Sequence, residues 1–215
     1  CPYKSPTDMG VNMAGNCISD DQACREASVQ EIIRRYFESR TRYYHEDCGI
    51  EEIQKQELIM EKANAEIEDR HCVKAARKKA KETGVFSGAI ELPDGSFATG
   101  KTTDFMGTCS STSINALKNL ANIDDKEMLI SPEAFGPIQE LKTNDLGSVN
   151  PRLHTDEVLI ALTLSAQDNK HAQLALTKMK ELKGLQAHFT TDVSPVDLSV
   201  LNHLGLQVTY ETENR

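Results

Sequence analysis

The sequence lacks a long apolar run. A membrane-spanning helix needs roughly 18 consecutive apolar residues, and the longest candidate, "VLIALTLSA" at 158–166, is about half that length. The chain also shows no basic start followed by an apolar segment, which is the pattern of a secretory signal. These absences predict a protein that does not cross a membrane.

Positive charge is also scarce. The chain has 24 Lys and Arg residues against 33 Asp and Glu residues, and its net charge is −9. Because nucleic-acid-binding proteins present basic surfaces, we predict that neither DNA nor RNA is a partner. The one local basic run, "KAARKKAK" at 74–81, has its charges spread around a helix with no aromatic residue between them. This pattern is typical of a solvated helix surface.

Motifs for metals and cofactors are missing. The six cysteines form no Cys-x-x-Cys pair, which favours free thiols and predicts a cytoplasmic location. Four soft ligands, His45, Cys48, His71 and Cys72, flank one helix, but adjacent helical residues point in different directions, so we predict no metal site. The chain contains no Walker loop, Gly-x-Gly-x-x-Gly or Gly-x-Ser-x-Gly motif. No cofactor is therefore identified.

Residues 1–84 are predicted to form a mainly helical subdomain. The segment "SDDQ" at 19–22 has the form of a capping box, and apolar residues recur behind it at helical spacing. A second helical region begins at Ile50, is expected to break near Asp69, and ends at Gly84.

Residues 85–215 are predicted to form an α/β subdomain. Two strand-like runs flank the turn "PDG" at 93–95, and further strands are predicted at 127–131, 185–190 and 206–211. Strands separated by helices imply parallel pairing with right-handed connections. The predicted fold class is therefore α/β (α+β overall), with a helical part followed by a mixed sheet.

The order of hairpin, helix, strand and proline-led helix is also the order in zinc-dependent nucleoside deaminases. Those enzymes need His-x-Glu or Cys-x-Glu at the first helix and Pro-Cys-x-x-Cys at the second. The matching segments here, "TCSSTS" at 108–113 and "SPEAFGP" at 131–137, offer only Cys109 as a metal ligand. We therefore predict a deaminase-like three-layer arrangement that has no zinc ligands and no zinc-dependent deamination.

The carboxyl ends of the predicted strands supply candidate site residues, because ligands of open α/β sheets gather there. These ends carry Ser131, His188, Thr190 and Thr191. His188 is the best candidate for a general base, since an imidazole titrates near neutrality. The alternative is that His188 is a core histidine bonded to a neighbouring carbonyl.

The segment "GTCSSTS" at 107–113 leads into a helix and is the candidate anion site. A glycine, several hydroxyl groups and a helix N-terminus suit phosphate, with Thr108 and Ser111 as ligands. Lys101 could pair with the phosphate as a point charge. The alternatives are that Thr108, Ser110 or Ser111 caps the helix, and that Lys101 is an exposed lysine at the base of the hairpin.

Several segments, taken in chain order, resemble one bacterial family. They are "YKSPTDMGVN", "QEIIRRYF", "ELPDG", "NALKNLANI", "LISP", "DEVLIAL" and "KGLQAH" followed by "TT". Over nearly the whole chain they resemble the C-terminal half of the family known as domain of unknown function 1846. The resemblance implies a helical subdomain before an α/β subdomain of deaminase-like topology. It also implies a longer protein whose N-terminal half is absent here and is a partner of this part; it supplies no reaction.

The resemblance makes the opening segment "KSPTDMGVN", residues 4–12, an internal loop exposed by truncation or cleavage. Pro6 and Gly10 shape this loop. Its polar residues are further site candidates: Asp8 as a catalytic residue, and Lys4, Ser5, Thr7 and Asn12 as ligand-binding residues.

Two hypotheses for function follow. In the first, this part forms one wall of an enzyme active site for a small phosphorylated or nucleotide-like ligand. Thr108 and Ser111 would hold the anion, and His188 would handle protons. In the second, the long helices serve as a docking or homo-oligomerisation module that has no chemistry of its own. The sequence does not identify the substrate.

Overall fold

The computed structural model describes residues 20–212, so the predicted site residues Lys4, Ser5, Thr7, Asp8 and Asn12 lie outside the described residues. The chain divides into two compact units between Arg70 and His71. The sequence placed this division after residue 84. The difference concerns one helix, at residues 71–83, which packs on the sheet of the second unit.

The first unit is a pair of packed helices, α1 (Asp21–Tyr44) and α2 (Ile50–Ala63), followed by a short 3-10 helix at Ile67–Asp69. Ile33 and Phe37 of α1 are buried, as are Ile53 and Met60 of α2. These residues are the apolar face that the helical spacing predicts.

The start of α1 differs from the predicted capping box. Asp20 is the N-cap, and its carboxylate accepts a hydrogen bond from the amide of Ala23 at 2.9 Å. The Gln22 side chain donates to Glu26 at 2.8 Å, so it serves the helix surface. The two adjacent acidic residues made the sequence ambiguous, because aspartate caps a helix as well as serine does.

The second unit contains a mixed four-stranded sheet. Its strands are β1 (Ser87–Glu91), β2 (Phe97–Lys101), β3 (Gln186–Phe189) and β4 (Gln207–Tyr210), in the order β2-β1-β3-β4. β1 pairs antiparallel with both β2 and β3, whereas β3 and β4 are parallel. The predicted hairpin, the parallel pair and the mixed sheet are therefore confirmed.

Helices surround this sheet. They are α3 (His71–Thr83), α4 (Thr108–Leu120), α5 (Pro132–Glu140), α6 (Thr155–Ser165), α7 (Lys170–Thr177) and α8 (Pro195–His203). A π-helical turn at Leu141–Asp145 follows α5, and a 3-10 helix at Met179–Leu182 follows α7. In the described part of the chain, no helix combines the length and the apolar character that a bilayer crossing requires.

Both faces of the sheet are covered, because neighbouring strand residues point to opposite sides. Ala89 packs against Cys72 and Ala76 of α3. Ile90, the next residue, belongs to the main core, which includes Leu117 of α4. The sheet therefore has an α3 face and an α4 face.

The strand predicted at 127–131 does not form. These residues form bends and irregular structure, although Leu129 and Ile130 are buried. Side chains take the carbonyls that a strand partner would use: Lys118 donates to the carbonyl of Glu127 at 2.8 Å, and Asn169 donates to that of Met128 at 2.8 Å. The deaminase-like order of elements thus lacks its middle strand here.

Helix α4 lies unusually close to strand β2 at Gly100. A methyl group added to Gly100 would meet the backbone of Thr112, with 2.6 Å to its Cα atom. A neighbouring backbone cannot move aside as a flexible side chain can. Glycine at this position therefore sets the separation between α4 and the sheet.

We predict that Gly100→Ala lowers the free energy of unfolding by about 2 kcal/mol, because it overpacks the contact with α4. Gly107→Ala is the control, since its added methyl would make only ordinary contacts of 3.8 Å. We expect the control to cost less than about 1 kcal/mol. Urea unfolding followed by circular dichroism measures both values, and equal losses would contradict the close approach.

Candidate functional site

A cavity of about 220 Å³ lies beyond the carboxyl end of β3 in the second unit. The residues after β3 form one wall, and the starts of three helices form the others. Its lining consists of Phe86, Thr102, Gly107, Thr108, Cys109, Asn150, Arg152, Leu153, His154, Thr191, Asp192, Val193, Ser194 and Asp197. The cavity is therefore at the sheet edge where the sequence placed a ligand site.

Three helices begin at this cavity. Gly107, His154 and Ser194 are the N-cap residues of α4, α6 and α8. Helix N-termini carry partial positive charge and unpaired amide groups. The cavity is thus a place where backbone donors converge.

Two loops hold the starts of α4 and α6 side by side. Leu153 donates its amide to the carbonyl of Phe105 at 2.8 Å, and its carbonyl accepts from the amide of Gly107 at 3.2 Å. The Ser110 hydroxyl donates to the same carbonyl at 2.8 Å. Arg152 Nε donates to the carbonyl of Thr103 at 2.8 Å, which adds a further link. These bonds fix the two helix starts relative to each other.

The carboxylate of Asp197 joins α6 to α8. Its Oδ1 accepts from the amide of Thr155 at 2.7 Å and from the Thr155 hydroxyl at 2.6 Å. Its Oδ2 accepts from the Ser194 hydroxyl at 2.7 Å and lies 2.8 Å from His154 Nδ1. One buried acidic group therefore serves the first turns of two helices.

The hydrogen bonds to Asp197 stabilise its charged form. Burial by itself raises the pKa of this carboxyl, but the bonds from Thr155, His154 and Ser194 outweigh burial and bring the pKa below its ordinary value. Asp197 is therefore an ionised acceptor at neutral pH.

The ionised carboxylate also fixes the tautomer of His154. A carboxylate can only accept, so we assign the ring proton of neutral His154 to Nδ1, which faces Asp197. Nε2 then carries the lone pair, and the ring contacts to Asp197 and Ser194 are both made by Nδ1. The side chain is 27% exposed and lines the cavity. This arrangement suits a group that accepts a proton from a ligand.

The start of α4 is open, unlike those of α6 and α8. Its N-cap, Gly107, provides no side-chain bond. Within the described part of the chain, the amides of Thr108, Cys109 and Ser110 donate to no other residue. Thr108 and Cys109 line the cavity. These amides are suited to bind an anionic group.

The Cys109 thiol is not suited to act as a nucleophile. Burial, and then the charge of Asp197, raise the pKa of this thiol well above its ordinary value. The group therefore stays protonated, and the thiolate is the reactive form. Cys24, Cys48, Cys72 and Cys109 are all free thiols.

Two of the predicted site residues, Thr108 and Thr191, line the cavity. Thr108 lies in the first turn of α4, because the helix begins earlier than the predicted loop allowed. Its hydroxyl is 2.7 Å from that of Thr102. The Ser111 hydroxyl instead donates to the carbonyl of Lys101 at 2.7 Å. The alternative in which a hydroxyl side chain caps α4 is wrong, because Gly107 is the N-cap.

His188 does not line the cavity. It pairs with Ala89 across β1 and β3, so its side chain lies on the α3 face of the sheet. It is fully buried, with Nδ1 at 2.9 Å from the Thr209 hydroxyl and Nε2 at 3.4 Å from Glu211 Oε1. Its position is that of a core histidine, which was the alternative interpretation. The two contacts named here are with side chains and not with a carbonyl.

The remaining predicted residues lie outside the lining. Thr190 bonds to the backbone of Ser87, accepting from its amide at 3.0 Å. Lys101 is exposed at the end of β2, and Ser131 is the exposed N-cap of α5. The structure therefore does not bring these three side chains into the cavity.

Sequence reasoning missed Arg152, His154 and Asp197. A signal existed for Asp197, because "SPVD" at 194–197 has the Ser-x-x-Asp spacing of a capping box. No local pattern marks the contact between His154 and Asp197, which are 43 residues apart.

Metal binding has no support from clustering of ligands. Across residues 20–212, no group of three or more His, Cys, Asp and Glu side chains is placed to hold a metal ion. The cavity's polar groups include backbone amides, the Arg152 guanidinium group and the His154–Asp197 pair.

The fold and this cavity define an α/β protein with a mixed sheet and a pocket built from helix N-termini. The chain belongs to the DUF1846 family. Residues 68–215 match the family profile described as "Domain of unknown function DUF1846, C-terminal". Residues 1–64 match the profile described as "Domain of unknown function DUF1846, N-terminal".

Whole proteins similar to this chain are longer. A UPF0371 protein of Corynebacterium diphtheriae is 51% identical over 208 residues, covering 97% of this chain and 42% of that protein. A UPF0371 protein of Streptococcus thermophilus is 47% identical over 210 residues, covering 98% of this chain and 42% of that protein. The chain therefore spans less than half the length of these curated relatives.

The family assignment confirms the resemblance seen in the sequence, with one correction. The prediction that none of the N-terminal half is present is wrong, because the N-terminal profile extends to residue 64. The helices α1 and α2 thus belong to that profile, and the cavity belongs to the C-terminal one.

We predict that Asp197→Asn lowers the free energy of unfolding at pH 7 by about 2 kcal/mol, because hydrogen bonds to a charged acceptor are lost. Because the pKa of Asp197 is lowered by folding, its contribution is complete above the unfolded pKa of about 4 and disappears as pH falls through the folded pKa.

The difference between wild type and variant should therefore shrink below about pH 4. Asp168→Asn, on the exposed turn between α6 and α7, is the matched control and should leave stability nearly unchanged. Urea unfolding at several pH values measures this, and a difference independent of pH would contradict the role of the Asp197 charge.

Proposed function

We propose that the cavity binds a small ligand carrying a phosphate or similar anionic group, and that His154 exchanges a proton with that ligand. The open amides of Thr108, Cys109 and Ser110 are the observation that carries the proposal. Asp197 already accepts an amide at the start of α6 and Ser194 caps α8, so α4 is the helix start left for a ligand anion.

One of the charged residues in the cavity lining, Arg152, supports this assignment, whereas Asp192 and Asp197 are acidic. Arg152 can add a charge-assisted hydrogen bond to the anion. His154 lines the same cavity, and the buried carboxylate of Asp197 holds its Nδ1. An anion-binding site beside an oriented imidazole is the arrangement of an acid–base site, which favours an enzyme over a passive binding module.

The rest of the protein enters the proposal as a partner. The relatives extend well beyond the matched region, and we propose that their remaining N-terminal part completes the site. A cytoplasmic location and a phosphorylated or nucleotide-like ligand belong to the same proposal.

A docking module is the second candidate function. Leu146 is 71% exposed and Val149 is 99% exposed, so apolar surface is available on one segment of the second unit. The phosphate titration described next separates the two candidates, because a docking module without a ligand site leaves the amide signals of α4 unchanged.

Thr108→Pro directly tests the proposed anion-binding site at the start of α4. Proline removes the Thr108 amide hydrogen, and it is tolerated at the first position of a helix. Gly107 already has φ −67° and ψ 170°, which suits a residue before proline. The matched control, Thr108→Ala, loses the same hydroxyl but keeps the amide.

We expect inorganic phosphate to shift the amide signals of Thr108, Cys109 and Ser110 in ¹H–¹⁵N spectra of the wild-type chain. Thr108→Pro should weaken phosphate binding about tenfold relative to Thr108→Ala, which corresponds to about 1.4 kcal/mol for one charge-assisted bond. Equal phosphate affinities of the two variants, or no shift of these amide signals in the wild type, would reject the proposed anion-binding site.

Chemical modification tests the position of His154. Diethyl pyrocarbonate acylates unprotonated imidazole nitrogens that it can reach. His154 lines the cavity with a side chain that is 27% exposed, whereas His188 is fully buried. We expect modification of His154 that phosphate slows, and no modification of His188 until urea unfolds the chain. Peptide mass spectrometry reads both sites, and rapid labelling of His188 in the folded chain would contradict its placement.

A further inference from the structure

Lys142 is a buried lysine behind the cavity wall. Its residue is 5% exposed, and Nζ donates to Glu157 Oε2 at 2.6 Å and to the carbonyl of Arg152 at 2.8 Å. A buried ammonium group is unfavourable unless its hydrogen bonds are satisfied. Both of these acceptors lie on the segment that carries Arg152 and His154.

A backbone irregularity places Lys142 there. The π-helical turn Leu141–Asp145 directly follows α5, and Leu146 donates its amide to the carbonyl of Leu141, five residues back, at 3.0 Å. Such turns insert an extra residue into a helix and often occur near functional sites. The backbone of Lys142 is fixed as well, because its carbonyl accepts from Ser148 at 3.0 Å.

The contacts of Lys142 lead to Arg152 and His154, two of the polar residues that line the cavity. Glu157 Oε2, which accepts from Lys142, also accepts from the amide of His154 at 2.7 Å. The other acceptor is the carbonyl of Arg152 itself. One ammonium group therefore holds the backbone on both sides of Leu153.

We propose that Lys142 is a positioning residue that sets the separation of the Arg152 and His154 side chains across the cavity. This inference rests on the proposed function, because the separation matters when an anion bound at the start of α4 must contact both groups. Lys142 does not itself line the cavity, so it acts through the backbone it holds.

The chain offers a matched control in Lys118, another buried lysine whose Nζ bonds only to carbonyls in the contacts seen, those of Asp125 and Glu127 at 2.7 and 2.8 Å. It lies ten residues along α4 from Thr108, roughly 15 Å away. Lys118→Met therefore removes a comparable buried ammonium group without touching the cavity wall.

We expect Lys142→Met to weaken inorganic phosphate binding about tenfold and to shift the amide signal of His154 in ¹H–¹⁵N spectra. Lys142→Arg should restore most of the affinity, because a guanidinium group keeps the charge and the donors. Lys118→Met should lower the melting temperature while leaving phosphate affinity unchanged. Unchanged affinity in Lys142→Met, with only a lower melting temperature, would overturn the inference.

A second readout does not depend on phosphate. The rate at which diethyl pyrocarbonate modifies His154 should change at least about threefold in Lys142→Met and not in Lys118→Met, since the imidazole position changes only in the former. If the wild type binds no phosphate, the proposed anion-binding site is rejected, and the modification rate of His154 still tests the positioning role of Lys142. Equal rates in wild type and Lys142→Met would reject a positioning role.

Discussion

The second unit depends on one buried carboxylate. Asp197 accepts hydrogen bonds from the start of α6 and from Ser194 at the start of α8, and it orients His154. A buried charge is tolerated only when such bonds satisfy it. Because this carboxylate accepts an amide at the start of α6 and Ser194 caps α8, the cavity differs from a pocket in which every helix N-terminus is free. The remaining start, that of α4, contributes backbone amides that bond to no other described residue.

Much of the fold could be predicted because its signals are local. The turn at 93–95, Gly84 and Gly184 at helix ends, and Ser194 with Pro195 at the start of α8 act through their own backbone preferences. The failed strand at 127–131 shows the limit of such signals. Its apolar residues are buried as expected, but Lys118 and Asn169 supply the hydrogen bonds, and those partners are distant in sequence.

The position of the cavity could be predicted from the sequence, but most of its lining residues could not. The carboxyl end of β3 and the start of α4 mark the edge of the sheet where the cavity lies, which brought Thr108 and Thr191 into the prediction. His188 was placed by its nearness to that edge, whereas the alternation of strand side chains turns it to the α3 face. His154 and Asp197 become neighbours only when α6 and α8 pack, and no spacing in the sequence records that contact.

The pairing of β1 with β3 has a consequence for how the second unit assembles. Gly88 pairs with Phe189, so the centre of the sheet joins residues about a hundred positions apart, and closing so long a loop is entropically costly. The β1–β2 hairpin can form from nearby residues alone, and so can the helices that lie between β2 and β3 in the chain. The middle of the sheet, and with it the wall that follows β3, must wait for nearly the entire unit to be synthesised.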